Sequence, residues 1–316
     1  MLPKFFASLN SLVSIPLKSG LFFWFGGIVA WLYDMIDWVA VHHQLSGVTP
    51  VPQLLISSEW QAVWNYLHNL KPEHTTLLLF TLLFVMMLSN VIVTRLIFPT
   101  MRFLEGYGWL WKPVRGLVVK VVDKLYYAKR THEYHQLGNP AKLSASKLER
   151  HRELENEQLY LLPIKDRLPT RLGNVLRSHE CRPTLKYGLD ALICWPHLWM
   201  LLPENVQQDL SNARQNLDDA LQIWLWSLLF LIWIYWTWWA LPVAIILMLV
   251  AYGWALQAAR TYGKLLETAF DLYRPLLYQA LRFPLPDDPK TEVGMGQSVT
   301  AYLLRGVKEG VNFENV

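Results

Sequence analysis

Residues 220–260, which decide the fold, read ALQIWLWSLLFLIWIYWTWWALPVAIILMLVAYGWALQAAR. Two apolar runs, 220–240 and 242–260, lie on either side of Leu241 and are almost free of charge. Each run has about the 20 residues that an α-helix needs to cross roughly 30 Å of hydrocarbon. Because Pro242 cannot extend the helix that precedes it, the stretch predicts a transmembrane helical hairpin that turns at Leu241 and Pro242.

Two further segments, 20–41 and 75–98, have the length and the apolar character of membrane spans. The composition of the whole chain supports this interpretation. Of 316 residues, 53% are apolar, only 17% are charged and 16 are tryptophan, a residue enriched where helices meet the membrane surface. We therefore expect an all-α, polytopic membrane protein with four transmembrane helices in two hairpins.

Lysine and arginine are distributed unevenly among the segments outside these spans. The 43–74 segment has one, 99–218 has eighteen and 261–316 has six. Because loops rich in these residues stay inside, we expect both termini and the middle region to lie in the cytoplasm. The expected parts are a cytosolic N-terminal segment (1–19), a transmembrane hairpin (20–98), a cytosolic helical domain (99–218), a second transmembrane hairpin (219–260) and a cytosolic helical extension (261–316).

The segment between the first two spans contains a predicted helix of its own at 57–70. Ser58 and Gln61 form a capping-box pattern, and apolar residues follow at helical spacing. This combination predicts a short amphipathic helix that lies on the outer leaflet.

The segment 102–130 contains seven basic and two acidic residues. Val118, Val121, Val122 and Leu125 form an apolar stripe within it. Such a pattern is typical of a helix on an anionic inner leaflet, but it also suits a helix packed on its own domain with a solvated basic face. The basic residues expected to face lipid are Arg102, Lys112, Arg115, Lys120 and Lys124.

Apolar residues recur at alternating steps of four and three on the cytosolic side of the second hairpin. The first series is Val206, Leu210, Ala213, Leu217, Ala220 and Trp224, and the second is Ala258, Tyr262, Leu265, Ala269, Leu272 and Leu276. This spacing is the heptad pattern of coiled coils. We therefore expect the hairpin to continue into the cytosol as a long antiparallel helix pair joined along these stripes.

Two Cys and two His residues occur as close pairs, His179 with Cys181 and Cys194 with His197. Thiolate and imidazole are the usual ligands of zinc, and paired ligands at such spacing resemble structural zinc sites. Cysteine is also a common buried residue, and Cys194 lies in an apolar segment where core packing explains it equally well. The sequence favours core packing and leaves a zinc site as the alternative.

Asp34 and Asp37 stand about one helical turn apart in the first predicted span. A carboxylate in hydrocarbon is costly, so such residues often mark an ion path or a pore. Counted from Gly20, both lie in the outer half of the span, close enough to the interface to be hydrated. A hydrated helix end is the expected role, and the mouth of a pore is the alternative.

The motifs of common enzyme classes are missing from the sequence. It contains no GxSxG, no HExxH and no P-loop spacing. In 99–218, eighteen basic residues meet thirteen acidic ones, which leaves too little net positive charge for binding nucleic acid. We therefore expect neither catalysis nor a cofactor nor a nucleic-acid partner.

Three runs within 160–305 resemble a family of bacterial membrane proteins: LPTRLGNVLR, YGLDALICWPHLW and YGKLLETAFDLYRPLLYQALRFPLP. The resemblance covers about half of the chain and implies a bacterial membrane protein but no activity. Together with the lysine and arginine distribution it predicts a location in the bacterial cytoplasmic membrane. The family pattern has acidic or small residues at the positions of His179 and Cys181, and this departure weakens the case for a zinc site.

These observations favour a non-enzymatic membrane anchor or adaptor, whose cytosolic helices bind a soluble partner or assemble subunits into a homo-oligomer. The first alternative is an oligomeric channel or pore-forming effector with Asp34 and Asp37 at its outer mouth. The second is a membrane-bound, metal-dependent enzyme. The residues expected on the partner surface are Arg171, Asn174, Arg177, Tyr187, Asp190, Trp195 and Trp199.

Overall fold

The computed structural model describes residues 15–35, 65, 69, 71–108, 111–138, 140 and 143–306. Helices are the regular elements in these residues, and no strand occurs among them. The α-helices, numbered α1 to α10, are Ile15–Met35, Pro72–Glu105, Arg115–Val122, Ala128–Leu137, Ala145–Leu159, Arg171–Tyr187, Ala191–Trp199, Glu204–Leu229, Ala240–Ala280 and Pro289–Arg305. A π-helical turn, Asp123–Tyr127, joins α3 to α4, and 3₁₀ turns lie at Ile164–Asp166 and Phe230–Tyr235.

Among the described residues, three helices are long and apolar enough to cross a membrane: Pro72–Glu105, Glu204–Tyr235 and Ala240–Ala280. The predicted span 20–41 begins inside α1, and its residues beyond 35 lie outside the described part of the chain. The predicted outer helix 57–70 also lies outside it, apart from residues 65 and 69.

The connection between the last two apolar helices differs from the prediction. The α-helical part of α8 ends at Leu229, and a 3₁₀ turn over Phe230–Tyr235 follows it. Pro242 lies in the first turn of α9, so the expected turn at Leu241 and Pro242 is wrong. Proline is tolerated there because the backbone N–H groups of a first helical turn have no acceptor within the helix.

The chain divides into two compact units. Unit 1 is formed by Met1–Thr100 with Asp218–Gly253, and unit 2 by Met101–Leu217 with Trp254–Val316. In unit 1 a Cβ atom on Gly26 would lie 2.4 Å from the Phe230 ring, so aromatic side chains sit directly on the α1 backbone. Small residues at such crossings are typical of helices packed inside a membrane.

Unit 2 is organised around α9. Its buried face includes Ala259, Leu266 and Phe270, and the predicted stripe lies to one side of this face. Leu272 and Leu276, which the heptad pattern placed in the seam, are 65% and 39% exposed. The prediction was therefore wrong at these two positions. On α8 three predicted seam residues within unit 2 are buried: Leu210, Ala213 and Leu217.

Two glycines bring the end of α6 against α10. Gly188 ends α6 with a φ of 73° in the left-handed region, and Gly296 lies inside α10. A Cβ atom on Gly296 would lie 1.9 Å from the Tyr187 carbonyl oxygen, and one on Gly188 would lie 2.1 Å from the Val293 carbonyl oxygen. The two backbones therefore meet only because neither position carries a side chain.

A third glycine, Gly173 in α6, also lies directly against the backbone of another helix. A Cβ atom there would lie 2.0 Å from the Glu105 carbonyl oxygen. Thr170 caps the same helix, because its hydroxyl oxygen accepts a hydrogen bond of 3.0 Å from the Gly173 N–H. The cap and the close contact together place the first turn of α6 against the end of α2.

We predict that Gly296→Ala destabilises unit 2 by about 1–3 kcal/mol, because the new methyl group meets backbone atoms that cannot move aside. Gly294→Ala in the same helix is the matched control, since a Cβ atom there has no neighbour within 4 Å. The control should be neutral or more stable by about 0.5–1 kcal/mol, the helix preference for alanine. Thermal unfolding in detergent micelles measures both, and equal midpoints would contradict the assignment of the contact.

Candidate functional site

The candidate site of unit 2 is centred on a buried carboxylate of α9, Glu267. One oxygen, Oε1, lies 2.7 Å from the Lys186 ammonium and 3.4 Å from Nε of Arg182. The other, Oε2, lies 3.4 Å from Nδ1 of His179 and accepts a hydrogen bond of 3.2 Å from the Tyr160 hydroxyl. Four side chains therefore surround one negative charge.

The three nitrogen-bearing side chains come from one face of α6. His179, Arg182 and Lys186 are spaced three and four residues apart, which places them above one another on a helix. Gly263 lies one turn before Glu267 on α9, and a Cβ atom at Gly263 would lie 2.3 Å from the His179 ring. The glycine thus makes the space that brings the histidine to the carboxylate.

A second group of charges continues the same contact toward α10. Asp271 accepts hydrogen bonds from Lys186 at 3.2 Å and from the Tyr187 hydroxyl at 2.7 Å. Arg274 donates to Glu292 at 2.6 Å, and its guanidinium lies 4.0 Å from the centre of the Tyr187 ring. We call the two groups together the ion-pair network, which joins α6, α9 and α10.

The surroundings change the acidity of the network's side chains. Burial lowers the pKa of His179; Glu267 opposes this effect, and the charges of Arg182 and Lys264 add to it. Burial and the Glu267 charge both raise the pKa of Tyr160. Burial disfavours the charge on Lys186, but its hydrogen bonds to two carboxylates outweigh that effect and raise its pKa. Near neutral pH the histidine is therefore neutral, the tyrosine protonated and the lysine charged.

This geometry suits a structural role. Both oxygens of Glu267 face donors or cations from other elements, so the carboxylate has its coordination filled by the protein itself. Removing one member of such a buried group leaves the others without compensation, which makes the arrangement specific for one packing of α6 on α9. We conclude that the network fixes the relative position of these helices.

The structure does not bring the four predicted zinc ligands together. His179 belongs to the ion-pair network, Cys194 is buried 3.7 Å from the Thr300 hydroxyl, and the exposed His197 lies beside a backbone carbonyl of its own helix. Burial raises the pKa of Cys181, and it raises that of Cys194 to about 11, so both thiols stay protonated. Among the described residues no group of three or more His, Cys, Asp or Glu side chains could hold a metal ion. In this structure the four residues therefore form no common site, and core packing accounts for Cys194.

Three of the predicted partner-surface residues lie on the first half of α6. Asn174 is half-buried and forms two hydrogen bonds of 2.8 Å with the backbone of Leu168. Arg177 lies 3.5 Å from Glu180, while Arg171 is exposed. Asn174 therefore shapes the entry to the helix.

The other four predicted partner-surface residues have contacts within unit 2. The Tyr187 hydroxyl belongs to the ion-pair network, and Asp190 caps α7 by accepting from two backbone N–H groups. Trp195 packs with its ring 5.6 Å from that of Trp199 and 5.9 Å from that of Phe270. These contacts give the four residues a structural role within unit 2. Their role in partner binding stays a prediction.

The candidate pore residues fall at the edge of the described structure. Asp34 lies in the last turn of α1, and Asp37 lies outside the described residues. The sequence reasoning missed another polar pair in unit 1, in which the Gln222 amide donates 3.2 Å to Asn90. Both residues lie in helices apolar enough to span a membrane, and the signal that could have found them was an isolated amide in each apolar run.

The five basic residues predicted to face lipid are accessible to different degrees. The Arg102 guanidinium lies over the Tyr107 ring at 4.7 Å and that of Arg115 lies near the same ring at 5.9 Å. The exposed members are Lys112, Lys120 and Lys124, with Arg102 half-exposed at its side chain.

No protein-family model, no curated protein and no solved structure matches this chain. The resemblance of residues 160–305 to bacterial membrane proteins therefore stays an expectation, and the site must be interpreted from its own geometry.

We predict that Glu267→Gln destabilises unit 2 on the order of 3 kcal/mol, because it removes the buried negative charge that compensates the half-buried Arg182 and Lys186. The control is Glu153→Gln, which removes an exposed partner of Arg150 at 3.1 Å and should cost less than about 1 kcal/mol. Denaturant midpoints followed by tryptophan fluorescence in micelles measure the two variants. Equal losses would show that Glu267 has no special structural role.

Acidification should weaken unit 2 partly through His179. Its pKa is lowered in the folded protein, so below its ordinary value of 6.5 the unfolded chain binds a proton that the folded chain resists. The stabilising effect is complete above that pH and is lost progressively below it. His179→Gln should therefore lose less stability than the unmodified protein on acidification, whereas His197→Gln, at an exposed position, should follow the unmodified protein. Identical pH profiles for the two variants would contradict this assignment.

Proposed function

We propose that the protein is a non-enzymatic integral membrane anchor whose unit 2 binds a soluble partner or assembles subunits. Its membrane location is supported by the three helices that are long and apolar enough to cross a bilayer. The distribution of lysine and arginine favours a cytoplasmic location for unit 2, and the resemblance of residues 160–305 favours the bacterial cytoplasmic membrane.

One observation carries the partner-binding part of the proposal. Leu272 and Leu276 stand one turn apart on α9 and are 65% and 39% exposed, while Phe270 and Leu277 on the other face are buried. Exposed apolar residues at this spacing form the kind of anchor that a partner helix packs against.

The ion-pair network makes this surface suitable for binding. Asp271 and Arg274 precede and follow Leu272 on α9, and both are held by residues of other helices. A helix face whose backbone is already fixed loses little conformational entropy when a partner binds it. The network therefore supports an adaptor, since its contribution is rigidity at the site where the leucines are exposed.

The alternative is an oligomeric channel or pore-forming effector with Asp34 and Asp37 at the outer mouth. The observation that favours it is the hydrogen bond between Asn90 and Gln222, a polar pair within two apolar helices. Ion flux from liposomes that contain the purified protein distinguishes the two functions. Selective flux that is lost in the Asp34→Ala/Asp37→Ala variant would support the channel and contradict the anchor.

The anchor proposal is tested by chemical crosslinking in native membranes. We expect adducts either at multiples of the 36.9 kDa chain or at the added mass of a soluble partner. Leu272→Glu should reduce their yield about tenfold or more, because an unpaired carboxylate would be buried in the contact. Ser146→Glu is the control, since it adds the same charge at an exposed position of α5 and should leave the yield unchanged.

Two results would contradict the proposal. The first is the lack of any adduct at cellular protein levels. The second is an adduct whose yield falls equally in the Leu272→Glu and Ser146→Glu variants, because the contact would then not involve the exposed face of α9.

A further inference from the structure

A continuous helical segment of unit 2, from α3 through the π turn into α4, has an unusual distribution of exposed residues. One side of it is anchored. Val119 is buried, and Asp123 at the start of the π turn forms an ion pair with the buried side chain of Arg167. The Arg167 guanidinium also lies 4.9 Å from the centre of the Tyr127 ring. These contacts determine which face of the segment points away from unit 2.

That outward face is apolar. Leu117, Val121 and Leu125 follow one another at intervals of four residues and are 68%, 45% and 71% exposed. Each of the three is two positions from Val119 or Asp123 along the helix, and therefore lies on the opposite side from these two anchoring residues. A helix on a water-soluble domain shows the reverse arrangement, with its polar residues turned outward.

Basic residues border this apolar face. Lys120 and Lys124 are exposed and follow Leu117 and Val121 by three residues, so they lie along one edge of the stripe. Lys112 is also exposed, in the turn before α3. Lysine side chains at such an edge can extend their ammonium groups to phosphates while their methylene groups stay on apolar surface.

We propose that this segment lies in the plane of an anionic lipid leaflet, which covers Leu117, Val121 and Leu125 and binds the bordering lysines through its phosphates. The apolar stripe matches the acyl region just below the headgroups, and the positive edge matches the negative surface. The chain supplies the proximity, because α2, a helix apolar enough to span a membrane, ends at Glu105 only ten residues before Arg115. Ten residues reach at most about 36 Å.

This contact goes beyond the proposed anchor function and does not depend on it. Partner binding was inferred from the exposed leucines of α9, whereas the lipid contact rests on α3 and the π turn. The structure also corrects the expected stripe, because Val118 and Val122 are half-buried and Leu117 takes their place on the outward face.

Spin labelling of the full chain in liposomes tests the proposal. Labels are placed by Leu117→Cys or Val121→Cys in a Cys181→Ser background; Cys194 is buried, with its pKa raised to about 11, and stays unmodified. Glu149→Cys, at an exposed position of α5, is the control. With phosphatidylglycerol in the bilayer, we expect the first two labels to collide more with oxygen than with a water-soluble nickel complex, and the control label to show the reverse.

A double substitution tests how much the lysine charges contribute to the lipid contact. Lys120→Gln/Lys124→Gln should lower the ratio of inserted to water-exposed label about 30-fold, because each lysine near such a surface contributes about 1 kcal/mol. When both lysines are kept, replacing phosphatidylglycerol by phosphatidylcholine should lower the same ratio to a comparable degree. The labelled positions and the two lysines are exposed, so the substitutions leave the core of unit 2 intact.

Two outcomes would overturn the proposal. In the first, labels at Leu117 and Val121 are as accessible to the nickel complex as the control label in both lipids. In the second, the labels are immobilised without an oxygen preference and couple magnetically between chains, which would show that a second copy of the protein covers the stripe.

Discussion

The charge of Glu267 imposes the constraint on which unit 2 depends. A buried carboxylate must be surrounded by donors and cations, and α6 and Tyr160 supply them to Glu267 of α9. Because these side chains reach Glu267 only when the helices cross at one position, the charge selects a single packing. The continuation through Arg274 and Glu292 brings α10 into the same arrangement. The leucines exposed on α9 are those that this packing leaves uncovered.

The same chain uses apolar residues in two opposite ways. In the core of unit 2, residues such as Phe270 and Tyr278 are shielded from solvent, as in any water-soluble domain. In the long apolar helices and on α3, leucines and valines point outward. Water would make such an outward face costly, whereas the acyl region of a bilayer accepts it. The outward-facing residues of the apolar helices and the proposed lipid contact of α3 therefore have the same cause, the preference of apolar side chains for acyl chains over water.

Local features of the site could be predicted from the sequence, and its long-range contacts could not. Thr170 as the cap of α6 follows from a residue preference that acts within one turn. The four residues of the zinc pattern do not meet in this structure, since His179 and Cys181 are two positions apart on a helix and point to different sides. The pairing of His179 with Glu267 joins residues 88 positions apart, and no local pattern connects them.

The helical class and the presence of apolar segments long enough for a membrane could be predicted from the amino-acid sequence, because both depend on local composition and on the length of apolar runs. The basic character of the segment 102–130 was equally visible in the sequence. Which face of each helix is covered depends on its neighbours in the folded chain and could not be predicted in this way. Heptad spacing placed Leu272 in a seam, but α9 is covered by α6 and α10 as well as by α8, so its buried stripe is rotated. Periodicity shows that a helix has an apolar stripe, while the neighbours decide where it is buried.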